Sequence, residues 1–170
     1  MWWQEAVRSG LNRPPEKENE ERMRQFTPVT FADVSIEGPF WRERLDTVLT
    51  RSIPSQHQQL EQNGILESLE VRQPPPPLRI PYNRIGFTTQ IFWDSDIGKW
   101  IEAASYALNH RRDATIEAQI DDITAKLEKA QLADGYLNLW YIGRAIDKRW
   151  TNLRDNHELY NAGHLLEGAV

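Results

Sequence analysis

Apolar positions along this chain fall into separated helical stripes, with little of the strict alternation that marks a half-buried strand. The cleanest stripe is Ile116, Ile120, Ile123, Leu127 and Ala130, at spacings of four, three, four and three. It predicts one face of an α-helix, ended by Gly135. Just before it, Ile97, Trp100, Ile101, Ala104 and Leu108 predict another helix, with Asp94, Ser95 or Asp96 as its cap. After Pro39, the positions Leu45, Val48 and Leu49 predict a helix interrupted at Pro54, and a further stretch runs through Leu60 to Asn63-Gly64. Val29, Phe31, Val34 and Ile36 predict a short extended segment ending at Gly38-Pro39. Tyr136 to Gly143 reads as a loop of extended character. A last helix is expected to open at Asp155, with Glu158 three residues later as the partner in a capping box. That helix is still running at Val170 without a terminating glycine, lysine or proline, which reads as a cut helix. Helices joined by loops, with almost no strand, predict an all-α fold of antiparallel helix pairs, a bundle or an α/α toroid.

Two segments stand outside this pattern. Residues 1–26 form a charged tail, Pro14-Pro15-Glu16-Lys17-Glu18-Asn19-Glu20-Glu21-Arg22 at its centre, and are expected to be flexible and solvated. Gln73-Pro74-Pro75-Pro76-Pro77 predicts a stiff extended excursion within the domain that occupies 27–170.

Composition narrows the function. A net charge of −5 gives no basic face for nucleic acid. No run of eighteen apolar residues suits a membrane span, and Met1-Trp2-Trp3-Gln4-Glu5 lacks the features of a secretory signal, so a cytoplasmic location is expected. Cysteine is absent, which removes disulfides, thiolate metal ligands and a cysteine nucleophile. Seven tryptophans, five tyrosines and five phenylalanines are expected first to fill a core, and only secondarily to stack on sugar rings.

Three stretches carry candidate chemistry. In Gln90 to Trp100, Asp94 and Asp96 sit two apart at a helix start, where carboxylates cap the helix or face a cleft and accept from sugar hydroxyls. Gln131-Leu132-Ala133-Asp134-Gly135 is a Gln-x-x-Asp-Gly turn of the kind that recurs in α/α toroids, a signature of fold more than of activity. In Arg149 to Glu167, His157, Asn161 and His164 share a helix face with Tyr160 beside it, while Leu159, Ala162, Leu166 and Ala169 take the other side. Such a stripe is either a solvated face or a row of neutral donors and acceptors for hydroxyls. His157-Glu158 opens like a zinc-protease helix, but position 161 is Asn, and His157 and His164 lie roughly 10 Å apart along the axis, too far for one zinc.

Together Asp94-Ser95-Asp96-Ile97-Gly98-Lys99-Trp100-Ile101-Glu102-Ala103, Ala130-Gln131 with Asp134-Gly135-Tyr136-Leu137-Asn138, Arg149-Trp150-Thr151-Asn152-Leu153, His157-Glu158-Leu159-Tyr160 and Ala162-Gly163-His164 resemble the β-L-arabinofuranosidase type of glycoside hydrolase. Gly38-Pro39-Phe40-Trp41, with Arg42 and Arg44, resembles that family's opening. The resemblance implies the amino-terminal portion of an (α/α)6 barrel and retaining hydrolysis of terminal β-L-arabinofuranosides from plant-derived glycans. It also implies a zinc-bound cysteine as nucleophile and a glutamate as acid/base, both beyond the stretch matched here. By position, sugar contact falls on His157, and by extension on His164, Asp94 and Asp96. With no cysteine, this chain is expected to carry no catalytic residue, no metal ligand and no zinc of its own. It would be inactive alone as a fragment, act as half of a split enzyme completed by a second chain, or serve as a non-catalytic carbohydrate-binding module.

Overall fold

The computed structural model describes residues 29–70 and 89–170. The charged tail and the polyproline run lie outside them. A boundary between Ser35 and Ile36 divides the chain into two units. Of the first, residues 29–35 are described. They hold a single 3-10 turn at Phe31–Asp33, with the Thr30 hydroxyl bonded to Asp33. The extended segment expected here shows extended dihedrals at Thr30 and Val34, but no strand pairs among the described residues.

The second unit is helical. Helix α1, Pro39–Thr47, starts with proline in the first turn, where its missing N–H costs nothing. The interruption expected at Pro54 takes the form of a π-helical turn, Val48–Ser52, leading directly into α2, Ile53–Gln62, where Pro54 again occupies the first turn. A proline inside a continuous helix removes one i→i−4 bond, and a wider turn before it absorbs that loss without ending the helix. Gly64, at φ 76, stops α2 as expected. Helix α3 spans Trp93–His110 and α4 spans Ala114–Ala130. Asp113 caps α4 by accepting from the N–H groups of Thr115 and Ile116, at 2.9 and 3.2 Å. The connection between α3 and α4 is too short for anything but antiparallel neighbours.

Three expectations are corrected after α4. It ends at Ala130, ahead of Gly135. The glycine, at φ 86, instead closes a tight loop in which Leu132 N–H bonds the Tyr136 carbonyl and Gly135 N–H bonds the Leu132 carbonyl. The stretch expected to be extended folds into a short helix, α5, Leu139–Arg144, because the Asn138 side chain accepts from Tyr141 N–H and caps it. Asp155 is not a cap. It pairs with Arg154 and Asn152, and α6, Glu158–Ala169, begins three residues later with His157 at its N-cap.

The core gathers one face of each helix: Leu49, Ile53 and Leu60, then Leu66 and Leu69, then Ile97, Trp100, Ala104 and Ala107, then Ile116, Ile123 and Ala130. Each large aliphatic side chain buried this way contributes about 1.5–3 kcal/mol. Trp100 also donates its indole N–H to the Ile53 carbonyl at 3.1 Å, tying α3 to α2.

The closest packing is α6 against α3. Asn161 meets Ile91, Gly98 meets His164 and Leu165, and Gly168 meets Gly98 and Ile101. Positions rise together on both helices, so α3 and α6 run parallel. A Cβ on Gly98 would lie 2.5 Å from the His164 carbonyl oxygen, and one on Gly168 would lie 2.8 Å from the Gly98 oxygen. Backbone meets backbone at this crossing, which only glycine permits. No helix among the described residues is long and apolar enough to cross a membrane.

Candidate functional site

The parallel crossing places the polar starts of α3 and α6 side by side. From α3 come Asp96 and Lys99, and from α6 come His157, Tyr160 and His164. Lys99 Nζ donates to the Tyr160 hydroxyl at 2.7 Å and lies 3.9 Å from the Asp96 carboxylate. Rings line up along the edge. Phe92 and His157 are 5.3 Å apart, His157 and Tyr160 5.6 Å, and Tyr160 and His164 4.6 Å, the last two edge-on. His164 Nδ1 is 3.2 Å from Glu167. Burial pushes the Asp96 carboxyl up from its ordinary value, and the neighbouring Lys99 and His164 pull it part of the way back. On the α2 side, Asp96 and Lys99 line a depression of about 450 Å³ together with Gln56 and Gln59. The result is a row of rings and hydroxyl-binding groups on one rim, the chemistry suited to a polyol.

The stripe read from the sequence thus divides. His157 and His164 are half-buried at the rim and Tyr160 is exposed. Asn161 is fully buried and donates to the Ile91 carbonyl at 2.9 Å, pinning α6 to the segment before α3. The two acids divide as well. Asp96 reaches the rim, whereas Asp94 is 1 % exposed and accepts from Leu139 N–H at 2.8 Å, joining the first turn of α3 to the first turn of α5. Desolvation pushes the Asp94 carboxyl up to about 7, against the pull of that backbone bond.

Beneath the rim lies a second polar group that the pattern did not reveal. Glu158 is 2 % exposed. Its carboxylate accepts from the Trp150 N–H through both oxygens, at 3.1 and 2.9 Å, and from the Tyr136 hydroxyl at 2.6 Å. Burial, and then the Glu158 carboxylate, push the Tyr136 phenol well above its usual range. Tyr136 packs edge-on against Trp150 at 5.0 Å, and Arg149 bonds Asp134 at 2.6 Å in the Gln-x-x-Asp-Gly turn. The one available sequence signal was the Asn156-His157 pair, since Asn and His tolerate the left-handed region that His157 adopts.

On the far side of α6, Leu159 and Leu166 are 58 % and 67 % exposed. Leu166 borders an apolar groove of about 760 Å³ between α3, α4 and α6.

The thiolate zinc chemistry implied by the resemblance does not fit the residues present. There is no cysteine in the sequence, and no cluster of three His, Cys, Asp or Glu able to hold a metal among the described residues.

Comparison with known proteins agrees with the sequence resemblance. A non-reducing end β-L-arabinofuranosidase of Bifidobacterium longum subsp. longum is 29 % identical over 160 residues, covering 81 % of this chain and 23 % of the relative. The crystal structure of Ara127N-Se, a GH127 β-L-arabinofuranosidase from Geobacillus stearothermophilus T6, superposes with a TM-score of 0.70 at 37 % identity, over 81 % of this chain and 22 % of that one. The GH127 β-arabinofuranosidase BT3674 superposes with a TM-score of 0.71 at 29 % identity, over 84 % and 23 %. The chain therefore spans under a quarter of the length of these relatives, and its helices form a partial α/α barrel like theirs. Residues 33–170 match the family described as "Beta-L-arabinofuranosidase, GH127 catalytic domain", and the chain belongs to that family.

Proposed function

We propose that residues 33–170 supply one wall of a β-L-arabinofuranoside site in a GH127-type retaining glycosidase. His157, His164 and Asp96 contact sugar hydroxyls, Tyr160 and Lys99 stand beside them, and Asp94 acts from beneath by fixing the start of α5 to the start of α3. The observation that carries this reading is the Lys99–Tyr160 bond, which brings the polar rows of two helices into one continuous rim. In a family whose members act on arabinofuranosides, a rim of imidazoles beside a carboxylate, a phenol and an ammonium group suits a hydroxyl-rich ring.

These residues bind and orient; they do not break the bond. No thiol exists in this chain to form a glycosyl-enzyme bond, so the nucleophile and any thiolate-bound zinc come from polypeptide outside these 170 residues. The exposed leucines and apolar groove of α6 suit a surface that further helices of a closed (α/α)6 barrel would cover.

The test is a chimera in which residues 33–170 replace the matching portion of the Geobacillus stearothermophilus enzyme. Hydrolysis of 4-nitrophenyl β-L-arabinofuranoside is expected from the chimera and not from the 170-residue chain. His157→Ala is expected to lower kcat/KM by about 100-fold, the scale of one lost transition-state hydrogen bond. A folded chimera that does not hydrolyse, or one indifferent to His157→Ala, refutes the proposal. Calorimetric binding of methyl β-L-arabinofuranoside by the 170-residue chain, abolished by His157→Ala, would instead favour a stand-alone binding module.

A further inference from the structure

Only two non-glycine residues among those described have positive φ: Trp150 at 66° and His157 at 58°. Each left-handed residue of this kind costs about 1–2 kcal/mol and persists only where its surroundings fix it. Both are adjacent to, or bonded by, the same buried carboxylate. Glu158 follows His157 directly and takes the Trp150 N–H on both oxygens, with the Tyr136 hydroxyl completing its shell. A buried carboxylate held by two donors is fixed firmly, because losing either leaves charge unsolvated. The next bond along, Asn161 N–H to the His157 carbonyl at 2.9 Å, starts the helix from that fixed point.

We infer that Glu158 is a positioning residue: it locks the Trp150 and His157 backbones in their left-handed conformations and so sets where the His157 imidazole stands on the rim. The use of that imidazole on a furanoside rests on the proposed function above; the positioning itself does not. Glu158 lies beneath the rim and touches no sugar. It acts through His157 on one side and through the 150–157 loop on the other. The loop is closed at its own ends by Asn156 bonding the Tyr141 hydroxyl at 2.7 Å and by Trp150 packing on Tyr136.

The test uses the 170-residue chain with 13C,15N-labelled histidine and tryptophan. Glu158→Gln keeps the shape and one acceptor but loses the charge, Glu158→Ala loses both, and Tyr136→Phe removes a single donor. The expected result is a graded displacement of the His157 Cε1–Hε1 cross-peak, largest for Glu158→Ala, with the His57 and His110 cross-peaks unmoved. Trp150 amide exchange should quicken by about tenfold in Glu158→Gln and further in Glu158→Ala. If Glu158→Ala does not fold, Glu158→Gln and Tyr136→Phe carry the same two readouts. A His157 cross-peak and Trp150 exchange rate unchanged in folded Glu158→Gln overturn the inference; a residue that only adds stability would quicken Trp150 exchange together with the core amides and leave the His157 cross-peak in place. Hydrolysis by the chimera described above, with and without His157→Ala, separates the two readings. If His157→Ala leaves the chimera's kcat/KM unchanged while the His157 cross-peak responds to Glu158, the furanoside role fails and the positioning stands.

Discussion

Asp94 offers the sharpest quantitative test of the packing. Its carboxyl is held in the folded state at about 7 against 3.8 in the unfolded chain, chiefly because burial disfavours the charged form. The folded state therefore binds this proton more tightly than the unfolded one. The associated stability is complete below pH 3.8 and is lost as pH rises through about 7. That difference corresponds to about 4 kcal/mol between the acid and alkaline limits, more than half of it between pH 5 and pH 8. Asp94→Asn keeps an oxygen for the Leu139 N–H and removes the ionisation. The new amide N–H adds a pH-independent cost of about 1–3 kcal/mol if it finds no partner. The informative quantity is thus the slope and not the offset. Urea unfolding of both proteins at pH 5, 6, 7 and 8 should show the stability of Asp94→Asn, relative to the parent, rising by about 2–3 kcal/mol across that range. A difference that is flat or falling would mean that Asp94 is ionised and solvated in the folded state, and the buried junction of α3 with α5 would be misdescribed.

Two further outcomes follow from the same packing. Gly98→Ala gains about 1 kcal/mol of helix propensity but drives a Cβ to within 2.9 Å of three backbone atoms of α6, so a net loss of about 1–3 kcal/mol is expected. A rise in Tm for this variant would contradict the close α3–α6 crossing. His57, its ring tilted against Trp100 at 4.9 Å and bonded to Gln119, has its imidazole pushed below the ordinary value mainly by burial. Its contribution is present above pH 6.5 and lost as pH falls through the lowered folded value. His57→Phe keeps a ring on Trp100 and should flatten the decline of stability from pH 7 to pH 5, read by the same urea titrations; equal slopes would count against a buried neutral His57.

The helices were legible where a single periodicity acts over many residues. The five-residue apolar stripe of α4 needed nothing from elsewhere in the chain. Failures cluster where a distant partner decides. Glu158 follows Asp155 at capping-box spacing, yet its carboxylate is claimed by Trp150 and Tyr136, so the helix starts later and from a left-handed histidine. Asn161 sits on the same stripe as His157 and His164, but the Ile91 carbonyl, seventy positions earlier, draws it inward. Asp94 and Asp96, two apart in sequence, face opposite fates because a helix turns about 100° per residue and α5 covers only one of them. Asn138 passed unnoticed as a cap because the aromatic run after it has the composition of a strand.

The backbone contact of α3 with α6 also has a bearing on how the chain acquires its shape. Helices α3 and α4 are adjacent in sequence and can pair as they leave the ribosome. The rim cannot: Lys99 waits for Tyr160, sixty-one positions later, and Gly98 stays bare until Gly168 arrives. Contacts of such long sequence separation form slowly, because loop closure must precede any gain from them. The α3–α6 crossing, and the Lys99–Tyr160 bond with it, therefore closes only after the pairs of helices adjacent in sequence have formed.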